Sequence, residues 1–201
     1  MTYLGLAKKG FKFEGNQIKG SGGSRLLAGN YEQIERFESF LADFHQTESA
    51  LVFNSGYNAN LGLLSCVPQR GDIILYDELC HASIRDGIQL SNATSYSFKH
   101  NTLSDLEKKY RNTKKASETT YIVVESIYSM DGDMAPLAPI AELCQASGAA
   151  LIVDEAHSTG FLGPRGEGLV VAEGLQTEVF ARVHTFGKAI GSHGAIIERG
   201  G

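Results

Sequence analysis

The chain has 201 residues, of which 42% are hydrophobic and 20% charged, a composition typical of a globular domain with a sizeable core. The formal net charge of −5 gives no electrostatic support for binding nucleic acid or an anionic membrane surface. Only three cysteines occur, without a C-x-x-C pair, so we expect a reduced cytoplasmic protein with neither a disulfide framework nor a zinc site. No signal peptide or membrane-spanning apolar run is visible.

Residues 1–30 are predicted to be an N-terminal arm that ends in a glycine-rich loop, and residues 31–201 one large domain. The Arg25-Leu26-Leu27 segment inside the loop favours packing over a flexible linker. Both ends of the chain look truncated, because strand-like residues stop directly at the C-terminus.

The first helix is predicted from Tyr31 to about Gln46, with Asn30 as its N-cap. Apolar residues such as Phe37 and Leu41 recur at helical spacing in this segment, so we expect them in the core.

Apolar runs rich in β-branched residues predict seven further segments as strands. These strands are predicted at residues 50–53, 72–76, 95–98, 121–124, 149–153, 178–183 and 194–197. Helical segments separate most of them, so the predicted fold is an α/β domain with a mostly parallel sheet flanked by helices and right-handed crossovers.

Residues whose side chains or backbone amides can carry chemistry follow five of these strands. They are Ser55, Gly56 and Tyr57, then His81, then Glu125 and Ser129, then Asp154 and His157, and finally Thr185 and Lys188. Each has a structural explanation by itself, such as capping for Asp154 or a surface charge for Lys188. Because the carboxyl ends of parallel strands meet at one edge of a sheet, their coincidence indicates a ligand site there.

Four other site classes fit the sequence less well. Asp154-Glu155-Ala156-His157 spells a helicase acidic box, but no G-x-x-x-x-G-K-[ST] loop precedes it. A short basic run at residues 108–115 is better explained as a solvated helix end than as a polyanion site. The G-x-S-x-G elbow of a serine hydrolase and the H-E-x-x-H spacing of a zinc site are also missing.

Pyridoxal phosphate (PLP) accounts for the whole set of residues. The amine of Lys188 can form a Schiff base, and the Asp154 carboxylate can keep the pyridine nitrogen protonated so that the ring withdraws electrons. The turn at Ser55 opens a helix whose N-terminus can bind the phosphate, and an imidazole can stack on the ring. The predicted cofactor is therefore PLP, without a metal ion.

Six segments resemble the α-oxoamine synthases, a family of PLP-dependent enzymes with an aspartate-aminotransferase-like fold. They are G-S-G-G-S-R-L-L-A-G-N at 20–30, N-S-G-Y-N-A-N at 54–60, D-E-L-C-H-A-S at 77–83, E-S-I-Y-S-M-D-G-D at 125–133, V-D-E-A-H-S-T-G at 153–160 and H-T-F-G-K-A-I-G at 184–191. The resemblance thus extends over most of the chain.

The resemblance implies roles for the predicted site residues. Lys188 would form the Schiff base and later transfer the substrate proton, Asp154 would pair with the pyridine nitrogen, and His157 would bond the 3-oxygen of the ring. His81 would stack on the ring and guide the substrate. Further cofactor contacts are implied for Gly56 and Tyr57 and for the hydroxyls of Ser129 and Thr185, with Glu125 as a supporting acid.

The family condenses an amino acid with an acyl thioester, loses carbon dioxide and releases the carrier thiol. Residues 24–31 most resemble the members that join L-alanine to a pimeloyl thioester in biotin synthesis, rather than those that use glycine or serine. The family also implies a homodimer and a C-terminal domain that this chain is expected to lack. An inactive fragment or a non-catalytic PLP binder is therefore the alternative hypothesis.

Overall fold

Strands and helices alternate along residues 21–113 and 119–200, which are the residues that the computed structural model describes. The strands are β1 (Ser49–Phe53), β2 (Ile73–Asp77), β3 (Thr94–Phe98), β4 (Thr120–Glu125), β5 (Ala150–Asp154), β6 (Ala181–Thr185) and β7 (Ala195–Arg199). The helices are α1 (Glu32–His45), α2 (Gly56–Cys66), α3 (Ala82–Leu90), α4 (Leu103–Thr113), α5 (Leu137–Ser147) and α6 (Leu169–Ala172). Most of the predicted arm and the end of the basic run, Lys114 and Lys115, lie outside these residues.

The seven strands form one sheet in the order β1-β7-β6-β5-β4-β2-β3. Neighbouring strands from β6 to β3 pair in parallel, whereas β7 is antiparallel to both β1 and β6. The predicted mostly parallel α/β sheet is confirmed. Since β1 and β6 both oppose β7, they share one direction, and the carboxyl ends of β1, β2, β4, β5 and β6 lie at the same edge.

Strand β5 is buried between two apolar cores. Its Leu151 and Val153 pack with residues of α4 and α5, and Ile152 packs on the opposite face with residues of α2 and α3. Burying each of these side chains contributes about 1.5–3 kcal/mol to folding. Alternation along the strand then places Asp154 on the same face as Ile152, below α2 and α3.

Parallel pairing places two acids side by side at the functional edge. Glu125 is the last residue of β4 and Asp154 the last residue of β5, and the two are direct register partners. Glu125 and Asp154, both predicted to lie at strand ends, therefore place neighbouring carboxyl groups on one face of the sheet.

Several local predictions need correction. The N-cap of α1 is Tyr31, and the side chain of Asn30 bonds Arg25 and Glu35 instead of capping the helix. Phe37 is 42% exposed, so it does not belong to the core, although Leu41 is buried. Strand β6 begins at Ala181, three residues later than predicted, because residues 178–180 still belong to the loop that follows α6.

Glu155 is fully buried and ties the loop after β5 to the start of α6. Its Oε1 accepts a hydrogen bond from the Val170 amide at 2.7 Å, and its Oε2 accepts one from Ser158 Oγ at 2.9 Å. Burial raises the pKa of this carboxyl group to about 7. The acid of the apparent helicase box is therefore part of the structural framework.

We expect Gly168→Ala to destabilise the chain strongly, because a Cβ at Gly168 would lie 1.6 Å from Glu155 Oε2. Gly174→Ala is the control for a glycine with a positive φ, of 72°, where nothing lies within 4 Å of an added Cβ. The left-handed backbone costs alanine about 1–2 kcal/mol at Gly174, whereas the backbone of Gly168, with φ 119° and ψ 179°, costs alanine about 1–3 kcal/mol and the overpacking adds about 1–3 kcal/mol more. Urea unfolding of both variants measures the difference, and equal losses would contradict this packing.

None of the described helices has the length and apolar character needed to cross a membrane.

Candidate functional site

A cavity of about 150 Å³ opens at the shared carboxyl edge of the strands. It is lined by Gly56, Tyr57, Asn60, His81, Ser83, Glu125, Asp154, Ala156, Thr185 and Lys188. Every predicted site residue except Ser55, Ser129 and His157 therefore lines one cavity. Segments far apart in the sequence meet here because β1, β2, β4, β5 and β6 all end at this edge.

Asp154 lies at the base of the cavity and is only 6% exposed. Its Oδ1 accepts a hydrogen bond from the Ala156 amide at 2.8 Å, and its Oδ2 accepts one from Asn60 Nδ2 at 2.6 Å. Two N–H donors therefore fix the carboxylate from both oxygens, and the group still has lone pairs available to a ligand in the cavity.

Lys188 and His157 contact each other, with 2.7 Å between Lys188 Nζ and His157 Nε2. Burial lowers the pKa of Lys188, although the nearby carboxylates of Asp154 and Glu125 act in the opposite direction. The pKa of His157 is lowered to about 4, mainly by burial and then by Lys188. Near neutral pH, His157 is thus neutral and can accept a hydrogen bond from the Lys188 side chain.

Glu125 is a second buried acid in this cavity. Its Oε1 accepts a hydrogen bond from the backbone amide of His81 at 2.5 Å, which ties the end of β4 to the start of α3. Burial, followed by the neighbouring Asp154 charge, raises the pKa of Glu125 to about 7.

We expect Glu125→Gln to change how stability depends on pH. The pKa of Glu125 is raised in the folded chain from 4.5 to about 7, so the folded state binds the proton more tightly. This contribution to stability is complete below the unfolded pKa and is lost as the pH rises through the folded pKa.

Glutamine cannot ionise, so the free energy of unfolding of Glu125→Gln should rise relative to wild type between about pH 5 and about pH 8, by up to about 3 kcal/mol. Urea unfolding across this range measures the change. Glu142→Gln, at an exposed position on α5, is the control. A wild-type-minus-variant difference that does not vary with pH would contradict the assignment.

The turn between β1 and α2 supplies main-chain donors. Ser55 is the N-cap of α2, and its Oγ accepts a hydrogen bond from the Asn58 amide at 3.2 Å. The amides of Gly56 and Tyr57 lie in the first turn, where a helix has no internal acceptors for them. Ser55 thus shapes the helix start without lining the cavity, while Gly56 and Tyr57 line it.

Gly56 allows a close approach between α2 and β6. A Cβ at this position would lie 3.3 Å from Thr185 Cβ, which is tighter than an ordinary contact. The phenol of Tyr57 donates a hydrogen bond to Asp86, and this bond raises the pKa of Tyr57. The start of α2 is thus held against the end of β6 on one side and against α3 on the other.

Ser129 lies outside the first cavity and lines a second one, of about 200 Å³, with Ile127, Tyr128, Gly132, His157 and Phe161. His157 connects the two spaces, since it lines the second cavity and contacts Lys188 in the first. Among the described residues, therefore, the predicted hydroxyl contact of Ser129 is separated from Asp154 and His81.

Two polar side chains of the cavity, those of Asn60 and Ser83, were not predicted as site residues. Asn60 follows Gly56 by four positions on α2, so helical spacing places both on one face. Ser83 is in the first turn of α3, two residues after His81. Both residues belong to segments that carry the family resemblance. Their spacing from predicted site residues, four positions after Gly56 and two after His81, is the signal that could have identified them.

A separate group of buried charges connects α1 with β6 and β7. Arg182 Nη2 lies 3.3 Å from Glu198 Oε2 and donates a hydrogen bond to the His45 carbonyl at 2.6 Å. Glu198 also lies near the imidazoles of His45 and His184. Because Arg182 already balances the Glu198 charge, a divalent cation here would leave excess positive charge in the core.

Comparison with known proteins gives a consistent family. The profile of the family described as aminotransferase class I and II matches residues 6–197. An 8-amino-7-oxononanoate synthase from Emericella nidulans is 46% identical over 189 residues, which cover 88% of this chain and 46% of that protein. The chain spans about half the length of the curated relatives it matches.

Solved structures show the same architecture. A serine palmitoyltransferase from S. paucimobilis, with a bound PLP–myriocin aldimine, superposes with a TM-score of 0.85 at 38% identity, covering 90% of this chain and 47% of that one. An 8-amino-7-oxononanoate synthase from Francisella tularensis gives a TM-score of 0.74 at 33% identity, covering 84% and 48%. The resemblance to the α-oxoamine synthases is thereby confirmed, and the chain belongs to the aminotransferase class I and II family.

Proposed function

We propose that this chain is the cofactor-binding part of a PLP-dependent α-oxoamine synthase, and that the protein acts as an 8-amino-7-oxononanoate synthase. The observation that carries the proposal is the meeting of Lys188 and Asp154 in one cavity at the ends of adjacent strands, with His157 in contact with the lysine amine.

The residues present fit PLP by their chemistry. A buried carboxylate held by two N–H donors suits a protonated pyridine nitrogen, and the main-chain amides at the start of α2 suit a phosphate. Lys188 is the amine that would hold the aldehyde carbon. When bound, PLP supplies an electron-withdrawing ring that stabilises negative charge on the substrate α-carbon.

The chain's own residues would perform the remaining tasks. Lys188 is the group to remove and return the proton at the α-carbon, since burial lowers its pKa and makes the amine form more accessible than for a lysine in water. Asp154 holds the proton at the ring nitrogen, and His157 orients the lysine amine through the 2.7 Å contact. His81 lines the same cavity and offers its imidazole to the ring and the substrate.

The substrates are proposed to be L-alanine and a pimeloyl thioester. The loop at residues 24–31 supports this choice, as do curated relatives named 8-amino-7-oxononanoate synthase at 43–46% identity. A serine palmitoyltransferase type is the second candidate, because solved enzymes of that name superpose with a TM-score of 0.85.

Thiol release in the presence of PLP distinguishes these candidates. We expect release from pimeloyl thioesters of coenzyme A or a carrier protein to require L-alanine, with 8-amino-7-oxononanoate identified by mass. Preference for glycine or L-serine would assign the protein to another branch. No release with any amino acid, despite PLP bound at Lys188, would instead support a non-catalytic PLP binder.

We further propose a homodimer and a cytoplasmic location, as the resemblance implies. All three cysteines are unpaired, which supports a reducing compartment. The division into an arm at residues 1–30 and a large domain from residue 31 also remains a proposal.

A further inference from the structure

We propose that Asn60 and Ser83 are positioning residues that fix the tautomer and orientation of the His81 imidazole. In the resulting state, the ring proton of neutral His81 lies on Nε2, and Nε2–H is the donor that the cavity offers to an acceptor oxygen of the ligand. The inference deepens the proposed function, since it assigns a specific role to two side chains that line the same cavity.

The direction of one hydrogen bond determines the tautomer. The backbone amide of Ser83 donates to His81 Nδ1 at 3.1 Å, at the N-terminus of α3. A backbone N–H can only donate, so Nδ1 must present a lone pair. A proton on Nδ1 would face this N–H directly, and neutral imidazole then carries its proton on Nε2.

The hydroxyl of Ser83 provides a second bond to the same ring nitrogen, with 2.8 Å between Ser83 Oγ and His81 Nδ1. This hydroxyl already accepts a hydrogen bond from Asn60 Nδ2 at 3.0 Å. Its own proton is therefore available for Nδ1, and the Ser83 hydroxyl supports the tautomer that the backbone amide selects.

Asp154 fixes the orientation of the Asn60 amide. Asn60 Nδ2 lies 2.6 Å from Asp154 Oδ2, and the reversed amide would place two acceptor oxygens against each other. Asn60 is only 3% and Ser83 only 1% exposed, so water does not compete for these bonds. A continuous series of donors and acceptors thus runs from Asp154 through Asn60 and Ser83 to His81.

The series has a consequence at the cavity. His81 is exposed, and an imidazole in water would sample both neutral tautomers. Among the described residues no side chain or carbonyl accepts a hydrogen bond from His81 Nε2, so this N–H is available to a ligand. Capping of α3 by His81 would by itself need only the Ser83 amide, and it gives no reason for Asn60 to bond both Ser83 and Asp154.

Long-range ¹H–¹⁵N NMR of the 201-residue chain without cofactor or substrate tests the inference. The His81 resonances are assigned with His81→Gln. Ser83→Ala removes the hydroxyl, Ser83→Thr restores one, and Ser65→Ala on α2 is the matched control, because Ser65 Oγ bonds the Gly62 carbonyl outside the series.

Wild type, Ser83→Thr and Ser65→Ala should show one dominant tautomer, with Nδ1 unprotonated. Ser83→Ala should raise the population of the Nδ1-protonated form about fivefold, as the loss of one ordinary hydrogen bond predicts. A proton on Nδ1 in wild type overturns the inference, and this measurement decides the question even if Ser83→Ala fails to fold. A Ser83→Ala population equal to that of Ser65→Ala also overturns it. Because no PLP is present, failure here is distinct from failure of the proposed function.

Discussion

Lys188→Ala is expected to abolish catalysis by the protein. Lys188 is the only lysine among the residues that line the cavity. Its side chain is half-buried and contacts His157. Its loss would remove both the proposed attachment point for PLP and the group proposed to move the substrate proton. We expect the exchange of the L-alanine α-proton with solvent deuterium to fall by about 10⁴-fold, the upper end of the range for a positioned proton-transfer group.

Proton NMR in deuterated water measures this exchange at saturating PLP. Lys99→Ala removes an exposed lysine from the loop after β3 and should exchange at the wild-type rate. Wild-type exchange in Lys188→Ala would show that another base performs the step.

Asp154→Asn is expected to slow the same exchange by about 10²–10³-fold, the range for removal of one electrostatic partner from a preorganised site. Asparagine keeps the size of Asp154 but removes its negative charge, so the ring nitrogen would lose its stabilising partner. One of the two donors, Asn60 Nδ2 or the Ala156 amide, would also face an NH₂ group instead of an oxygen.

PLP should still attach to Lys188 in Asp154→Asn, which separates loss of chemistry from loss of binding. Asp43→Asn, on the exposed side of α1, is the control for removal of one carboxylate. If Asp154→Asn exchanges the α-proton at the wild-type rate, the carboxylate does not have the role assigned to it.

The sheet could be predicted well because its signals are local. The run Leu151-Ile152-Val153 has no polar residue, as a strand buried on both faces requires, and the structure confirms it as β5. Strand ends could then be aligned, because parallel strands share one carboxyl edge. The antiparallel direction of β7 was not predictable from its own residues, since pairing direction depends on how the chain returns to the sheet.

The side-chain network of the site was harder to predict. Asn60 and Ser83 are polar residues on buried helix faces, and a sequence does not show that Asn60 bonds an acid 94 positions away at the end of a strand. Phe37 followed the helical period but lies at the edge of the packed face, so burial was overestimated there. The Asn30 cap failed because Arg25 and Glu35 offered stronger partners to its amide.

The central claim is that PLP attaches to Lys188. Borohydride reduction of the chain with PLP, followed by protease digestion and mass spectrometry, locates the attachment directly. We predict one modified peptide, the one that contains Lys188, and no modification at this position in Lys188→Ala. Stoichiometric labelling of a different lysine, or an unlabelled but folded chain at saturating PLP, would contradict the account.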